Sequence, residues 1–435
     1  MQLVKELYRK YKDDGFDVIG FSDYEDIQVV KDYIASENMP WRNFISTEDN
    51  TLDYNSSIVG TGYGYPEGPT PEITLVDSSG RVVFSSALSP YRDVAAFLEE
   101  HLECGGEDYT STDYSQDGNV YQLQIASKGK GIDLVLMGEG YTDRDIEDGK
   151  YLADMLNTMG ELFQEQPLKE LEDYFNVYSV IAVSPNASFL NGSQHAFEDN
   201  DSKVFEYARK AIGDSPERIM AGIVYNQKYG GSSERSYTRM WLGDGSFVAY
   251  LKRYDVGLAS HEIVGHGLAQ LLDEYIEPDN EGKEMPEERK AALEEEWKKY
   301  GIGANIDCHK EPSEVKWAHF LADDRYDAEQ LGVYEGAGLY SNGCYRPSET
   351  SLMRCDDIHF NAPSRESIYK HVMKYADPTW QYDMEKFFEF DLATFKPMLS
   401  ESRKTNKLKE SGNTRLKERM TGLPPTIIKG TWRDR

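Results

Sequence analysis

The chain has 435 residues, a formal net charge of -30 and 39% hydrophobic residues, with no apolar run long enough to cross a bilayer. That excess of carboxylates repels polyanions and excludes recognition of a nucleic-acid backbone, which requires a basic footprint. The length implies two or three domains, and four cysteines are too few for a disulfide scaffold.

In chain order, hydrophobic periodicity predicts an α/β alternation over residues 1–103: helix 4–12, strand 16–21, helix 25–36, strand 73–76, a turn at 77–80, strand 81–84 and helix 91–102. The stretches Tyr8-Arg9-Lys10-Tyr11, Phe16-Asp17-Val18-Ile19-Gly20, Met39-Pro40-Trp41 and Pro71-Glu72-Ile73-Thr74-Leu75-Val76-Asp77, leading to Gly80, carry a resemblance. The segment resembles the later part of a thioredoxin-like domain of the bacterial thiol-disulfide type, a family in which the proline at the position of Pro71 is cis. Its first strand and C-x-x-C motif are missing before Leu3. Without the attacking thiolate the domain is expected to be a scaffold rather than a redox catalyst, and the natural product is expected to extend before residue 1.

Residues 104–118 are small, polar and acidic and read as a linker. From 119 to 435, strands at 132–137, 176–183 and 219–225 alternate with helices at 144–163 and 203–212, which predicts a central, largely parallel sheet covered by helices. A strand at 237–242 follows the turn Tyr229-Gly230-Gly231, and a helix at 257–272 follows that. Residues 278–300 alternate Glu and Lys as a solvated helix does, and residues 401–435, broken by Pro424-Pro425, read as a tail lying on the surface.

The chemistry is concentrated in His261-Glu262-Ile263-Val264-Gly265-His266 and the following Asp273-Glu274-Tyr275. Zincins carry H-E-x-x-H, whereas here the second histidine comes one residue late. In an α-helix residues five apart diverge by roughly 140°. Both imidazoles therefore reach one metal only if the extra residue is absorbed in a π-bulge, and Gly265 is the residue type that tolerates unusual backbone. A catalytic zinc takes three protein ligands and leaves room for an activated water. His261 and His266 supply two ligands, and Glu262 is placed as general base and acid. Asp273 is the first candidate for the third, Glu274 the second; alternatively the acidic run only hydrogen-bonds a histidine. His309, His319 and His359 are further candidates, each read more simply as structural. Met353, in a turn-prone segment, is either an apolar floor beneath the histidines, as in the methionine turn of metzincins, or ordinary core. Cys344 and Cys355 form either a disulfide or a pair of free thiols.

Together with Ile132-Asp133-Leu134-Val135-Leu136-Met137-Gly138-Glu139-Gly140-Tyr141, Tyr225-Asn226, Tyr229-Gly230-Gly231 and Tyr334-Glu335-Gly336-Ala337 through Met353, this motif resembles the IgA-peptidase-like family of bacterial metallopeptidases. The resemblance implies an α/β, metzincin-like zincin domain with a central mixed sheet and an active-site helix. It also implies zinc as cofactor, a protein or peptide substrate, and secretion, a periplasmic location or display at the cell surface. By that likeness His261, His266 and Asp273 map onto the ligands and Glu262 onto the base. The family is named for H-E-x-x-H members, yet H-E-x-x-G-H is also the zinc motif of the dipeptidyl peptidase III family. Immunoglobulin specificity is not carried over. In such clefts an edge strand pairs with the substrate backbone, a role open to 237–242 or 225–231, or 237–242 is an internal strand. The expected function is a zinc endopeptidase; the competing one is a protein- or glycan-binding surface module that keeps the fold without turnover.

Overall fold

In the computed structural model the described residues are 8, 17–22, 27–36, 39, 41–45, 74–76, 82–85, 109–186, 196–197, 200–226, 236–251, 257–355, 359–406 and 423–435. They divide into two units, with the main boundary between Asp108 and Tyr109. In the first unit, strand β1 (Ile19–Ser22) pairs in parallel with β2 (Arg42–Ile45), and the helix Ile27–Ser36 lies between them in sequence. Strand β3 (Thr74–Val76) pairs antiparallel with β4 (Val82–Ser85). Three of these strands lie where the alternation predicts them, and β2 is additional. Tyr8 is helical and meets Trp41 edge to face at 5.6 Å. The rest of the predicted helix 4–12, the helix 91–102 and Pro71 lie outside the described residues.

The second unit is built on one mixed sheet. Its strands are β5 (Val120–Gln124), β6 (Ile132–Glu139), β7 (Phe175–Val180), β8 (Met220–Tyr225), β9 (Tyr237–Trp241) and β10 (Phe247–Leu251). The hairpin β11 (Tyr334–Ala337) and β12 (Tyr340–Arg346) stands apart, and β13 (Thr426–Ile428) returns to the sheet, whose order is β13-β9-β10-β8-β6-β7-β5. Strands β7, β6, β8 and β10 run parallel, while β5 and β9 are antiparallel to their neighbours β7 and β10. Every residue of β8 and β10 is buried, because both faces of the sheet are covered. Period-two alternation divides the apolar side chains between those faces. Leu134, Leu136, Met220, Val224, Phe247 and Ala249 pack with Ile263, Val264 and Leu268 of the motif helix. Val135, Met137, Ala221, Ile223, Val248 and Tyr250 pack with Val204, Phe205 and Ala208 of the helix Asp201–Ile212.

Several sequence expectations change. The segment read as a linker is outside the description up to 108, and from Tyr109 onward it is fastened to the sheet. Ser111 Oγ donates to Ser184 O at 2.7 Å, and Asp117 accepts from Val183 N at 2.9 Å and from the Tyr207 hydroxyl at 2.6 Å. The helix predicted at 144–163 is two, Asp143–Glu147 and Lys150–Leu162, because Gly149 between them takes a left-handed φ of 78°. Within 278–300 the helix is Glu287–Tyr300. The end of the tail is structural: β13 pairs with β9, and Trp432 is buried beside Phe205 at a ring separation of 6.2 Å. Consequently β9 is flanked on both sides and is an internal strand, not a free edge for substrate. Residues 227–231 of the other candidate edge lie outside the described residues. Among the described residues no helix is long and apolar enough to cross a membrane.

Candidate metal centre

The motif helix begins at Gly257, whose carbonyl accepts from His261 N at 2.9 Å, and runs as a π-helix over Ser260–Leu268. Ala269 N bonds Val264 O at 2.9 Å, the i to i-5 pattern of that helix. In this winding a residue and the fifth after it come one above the other, so the late histidine is brought under the first. The distortion is a nine-residue π-helix rather than a single bulge. The helix also stops before 272: Gln270 takes a φ of 53°, which turns the chain and swings Asp273 back over the helix.

Gly265 serves differently from the sequence expectation. It has no positive φ; instead a Cβ there would run into Met353 Sδ, and one at Gly267 into the Phe247 ring. Both glycines allow close approach. Met353, wholly buried in a 3-10 turn at Leu352–Arg354, lies against the motif helix, and its carbonyl accepts from Glu274 N at 2.8 Å.

His261 Nε2 and His266 Nε2 each lie 3.2 Å from Asp273 Oδ1, and the two rings stand perpendicular with centroids 4.7 Å apart. One ligand-type atom from each of the three residues lies within 4.8 Å of the others. The tautomers follow from the other nitrogens. His261 Nδ1 faces Leu352 O at 3.1 Å and His266 Nδ1 faces Leu271 O at 2.8 Å; a carbonyl only accepts, so in the neutral rings Nδ1 carries the proton. Each Nε2 then presents a lone pair toward a carboxylate oxygen. Three acceptors converge with no donor between them, and among the described residues none of the three atoms makes a hydrogen bond despite the 3.2 Å separations. His261, Glu262 and His266 are wholly buried and Asp273 is 2% exposed, so water does not satisfy them. Such a cluster is stable only with a cation at its centre, either a metal or protons on the imidazoles. Two imidazoles and one carboxylate, oriented by backbone carbonyls, are the donor set of a catalytic zinc site.

The charge balance agrees. Burial opposes ionisation of Asp273, but the imidazoles of His266 and His261 outweigh it and hold the carboxyl at about 2. Burial likewise works against a proton on His261, yet Cys355 and Asp273 raise its pKa well above the ordinary value when no metal competes. Glu262 is pushed upward by burial. Its Oε2 accepts from the Thr238 hydroxyl at 2.6 Å, and its Oε1 has no partner among the described residues.

Glu274, the second candidate ligand, faces elsewhere. Its carboxylate accepts from Ser351 Oγ at 2.5 Å, Asn305 Nδ2 at 2.8 Å and Asn361 Nδ2 at 3.0 Å, which makes it a buried tie between three segments. His309 pairs with Asp307, His319 with Glu366 and His359 with Glu165. The Cys344–Cys355 disulfide is not formed. Cys355 Sγ lies 3.7 Å from His261 Nδ1, and Cys344 faces Cys308 instead. Sequence reading missed Thr238, Asn305 and Asn361, whose partners lie 24 to 87 residues away and leave no local signal.

No curated protein matches the chain. Residues 122–326 match the family model described as IgA Peptidase M64, and the match spans the motif helix and Asp273. The segment that carries the buried His-His-Asp cluster is thus similar to the IgA-peptidase-like family of metallopeptidases.

Proposed function

We propose that the chain is a zinc-dependent endopeptidase of metzincin-like fold, in which His261, His266 and Asp273 hold the metal and Glu262 is the general base and acid. The observation that carries this reading is the convergence of three buried, unpartnered acceptor atoms on one point. Bound there, zinc would polarise the scissile carbonyl and lower the pKa of an attacking water. Glu262 Oε1, buried and without a partner among the described residues, is the atom that takes the proton and returns it to the leaving amine. Thr238 fixes the other oxygen of that carboxylate, and burial moves its pKa toward the pH range in which a proton is both accepted and given back. Met353 beneath Gly265 supports the metzincin likeness. Because the four side chains are closed to solvent, entry of a peptide requires the surrounding chain to open.

The same proposal includes a domain division near residue 108 and a thioredoxin-like scaffold before it, supported by the parallel β1–β2 pair and the antiparallel β3–β4 pair. Secretion or surface display is carried over from the family resemblance. The binding-module reading loses its motive, since it required His266 to face away from His261, whereas both Nε2 atoms face Asp273. Cleavage of a denatured protein mixture tests the mechanism. Glu262→Gln is expected to lose on the order of 10²- to 10⁴-fold in rate while keeping its metal; equal cleavage by both forms rules the mechanism out.

A further inference from the structure

Behind Asp273 the chain holds a second pair of reactive groups. Asp307 and Tyr345 exchange both backbone hydrogen bonds, Asp307 N to Tyr345 O at 3.0 Å and Tyr345 N to Asp307 O at 2.7 Å, as one antiparallel bridge. The next residues inward on that ladder are Cys308 and Cys344. The bridge is a single pair and the chain bends at Cys308, so it brings the two cysteines to neighbouring positions beside the Asp307–Tyr345 pair. In a regular antiparallel pair the residues beside a hydrogen-bonded bridge have Cα atoms about 4.5 Å apart, within the span disulfides bridge. The two thiols are within hydrogen-bonding reach of each other. Cys344 is wholly buried in an apolar cluster with Leu272, Ile306 and Ala337, whereas Cys308 is partly exposed at its margin.

We propose that Cys308 and Cys344 are a disulfide-forming pair, closed by a small-molecule disulfide of the glutathione type, and that the bond staples the two segments that support the Asp273–Tyr275 turn. One segment precedes Cys308: Asn305 Nδ2 donates to Leu272 O at 2.7 Å and to Glu274 at 2.8 Å. The other is the β11–β12 hairpin: Gly338 N donates to Asp273 O at 2.9 Å and Leu339 N to Tyr275 O at 3.1 Å. A covalent link between Cys308 and Cys344 joins these two supports.

The exchange balances in two steps. Cys308, the more exposed thiol, loses its proton to solvent and attacks one sulfur of the small disulfide, forming a mixed disulfide and releasing one small thiolate. Cys344, deprotonated in turn, attacks the Cys308 sulfur and expels the second thiolate. The protein dithiol gives up two electrons, and the small disulfide becomes two thiols. Cys308 suits the first step because its hydrogen bond with Cys344 lowers its pKa against the effect of burial, while the same contact and burial raise that of Cys344.

The test treats the whole chain, folded, with oxidised glutathione, then counts thiols under denaturant and maps linked peptides. Of the four cysteines, all four should react before treatment and two after it, with a single peptide joining Cys308 to Cys344. Cys308→Ser should retain three reactive thiols of the original four through the same treatment, whereas Cys344→Ser should stop at the mixed disulfide, with one glutathione bound to Cys308 and two reactive thiols left. The oxidised wild type should also melt higher than the reduced form by roughly 5 °C or more, a rise absent from both variants. Four thiols persisting, or a link to Cys104 or Cys355, overturns the pairing. Linked protein that melts no higher than reduced protein overturns the stapling role.

Discussion

Two buried charged clusters in the sheet unit follow opposite rules. Arg365 is wholly buried, and its five N–H donors are all used: Nε to Asp391 at 2.7 Å, Nη1 to Phe360 O at 2.7 Å and to Glu329 at 3.1 Å, and Nη2 to Glu329 at 2.9 Å and to Asp391 at 2.8 Å. The Tyr326 hydroxyl adds a further donor to Asp391 at 3.1 Å. The His261-His266-Asp273 cluster is as deeply buried, yet its inner atoms face one another with nothing donated from the described residues. A satisfied cluster fixes the fold, whereas an unsatisfied one waits for a cation. The difference separates structure from function without reference to motif.

The largest expected effect tests the satisfied side. Arg365→Met leaves the Asp391 and Glu329 carboxylates buried without their partner and should destabilise the chain by about 3–5 kcal/mol. Urea denaturation measures the loss, and zinc stoichiometry of the folded fraction should not change. Loss of zinc at full stability would reverse the assignment.

A smaller effect sharpens the other side. Gly265→Ala places a methyl against Met353 Sδ in a packed interior and should cost about 1–3 kcal/mol, because neither the π-helix nor the Leu352–Arg354 turn has room to yield. Pairing it with Met353→Ala opens that space, so the double variant should be less destabilised than the sum of the single ones. Strict additivity would show that the two side chains are not in contact.

A further effect is a pH dependence of metal retention. In the proposed site, protons and zinc would compete for the same imidazole nitrogens. With the metal absent, the pKa of His261 is raised well above its ordinary value, so the protonated form dominates below that raised pKa. Apparent zinc affinity should therefore fall as pH decreases from about 8 to about 6, by about tenfold per unit for each proton displaced. The Arg365 cluster has no group of this kind, and apo-protein stability over that interval should not follow the same curve. An affinity independent of pH would argue that imidazoles are not ligands.

How much of this was legible in sequence follows from the range of each interaction. His261, Glu262, His266 and Asp273 lie within thirteen positions, and the late histidine itself forecast a departure from α-helical winding. The role of Gly265 was misread because its reason is Met353, 88 positions further on. Asp273 and Glu274 are adjacent acids that the sequence alone does not rank. The turn at Gln270 decides between them by directing one toward the imidazoles and the other toward Asn305, Ser351 and Asn361. Charge and prolines make the tail read as surface chain, whereas Thr426–Ile428 and Trp432 gain their place from β9 and Phe205, 187 and 227 positions earlier. Nearness in sequence leaves Cys344 and Cys355 as a disulfide or as free thiols, whereas the Asp307–Tyr345 bridge brings Cys344 beside Cys308.

The most direct measurement is a zinc titration of chelator-stripped protein against a competing metal dye, run on the wild type and on Asp273→Ala. The account predicts one zinc per chain for the wild type and a loss of high-affinity binding in the variant, with both folded by circular dichroism. A wild type that takes up no zinc, or an Asp273→Ala variant that binds it equally well, would contradict the claim that these three residues form a metal site.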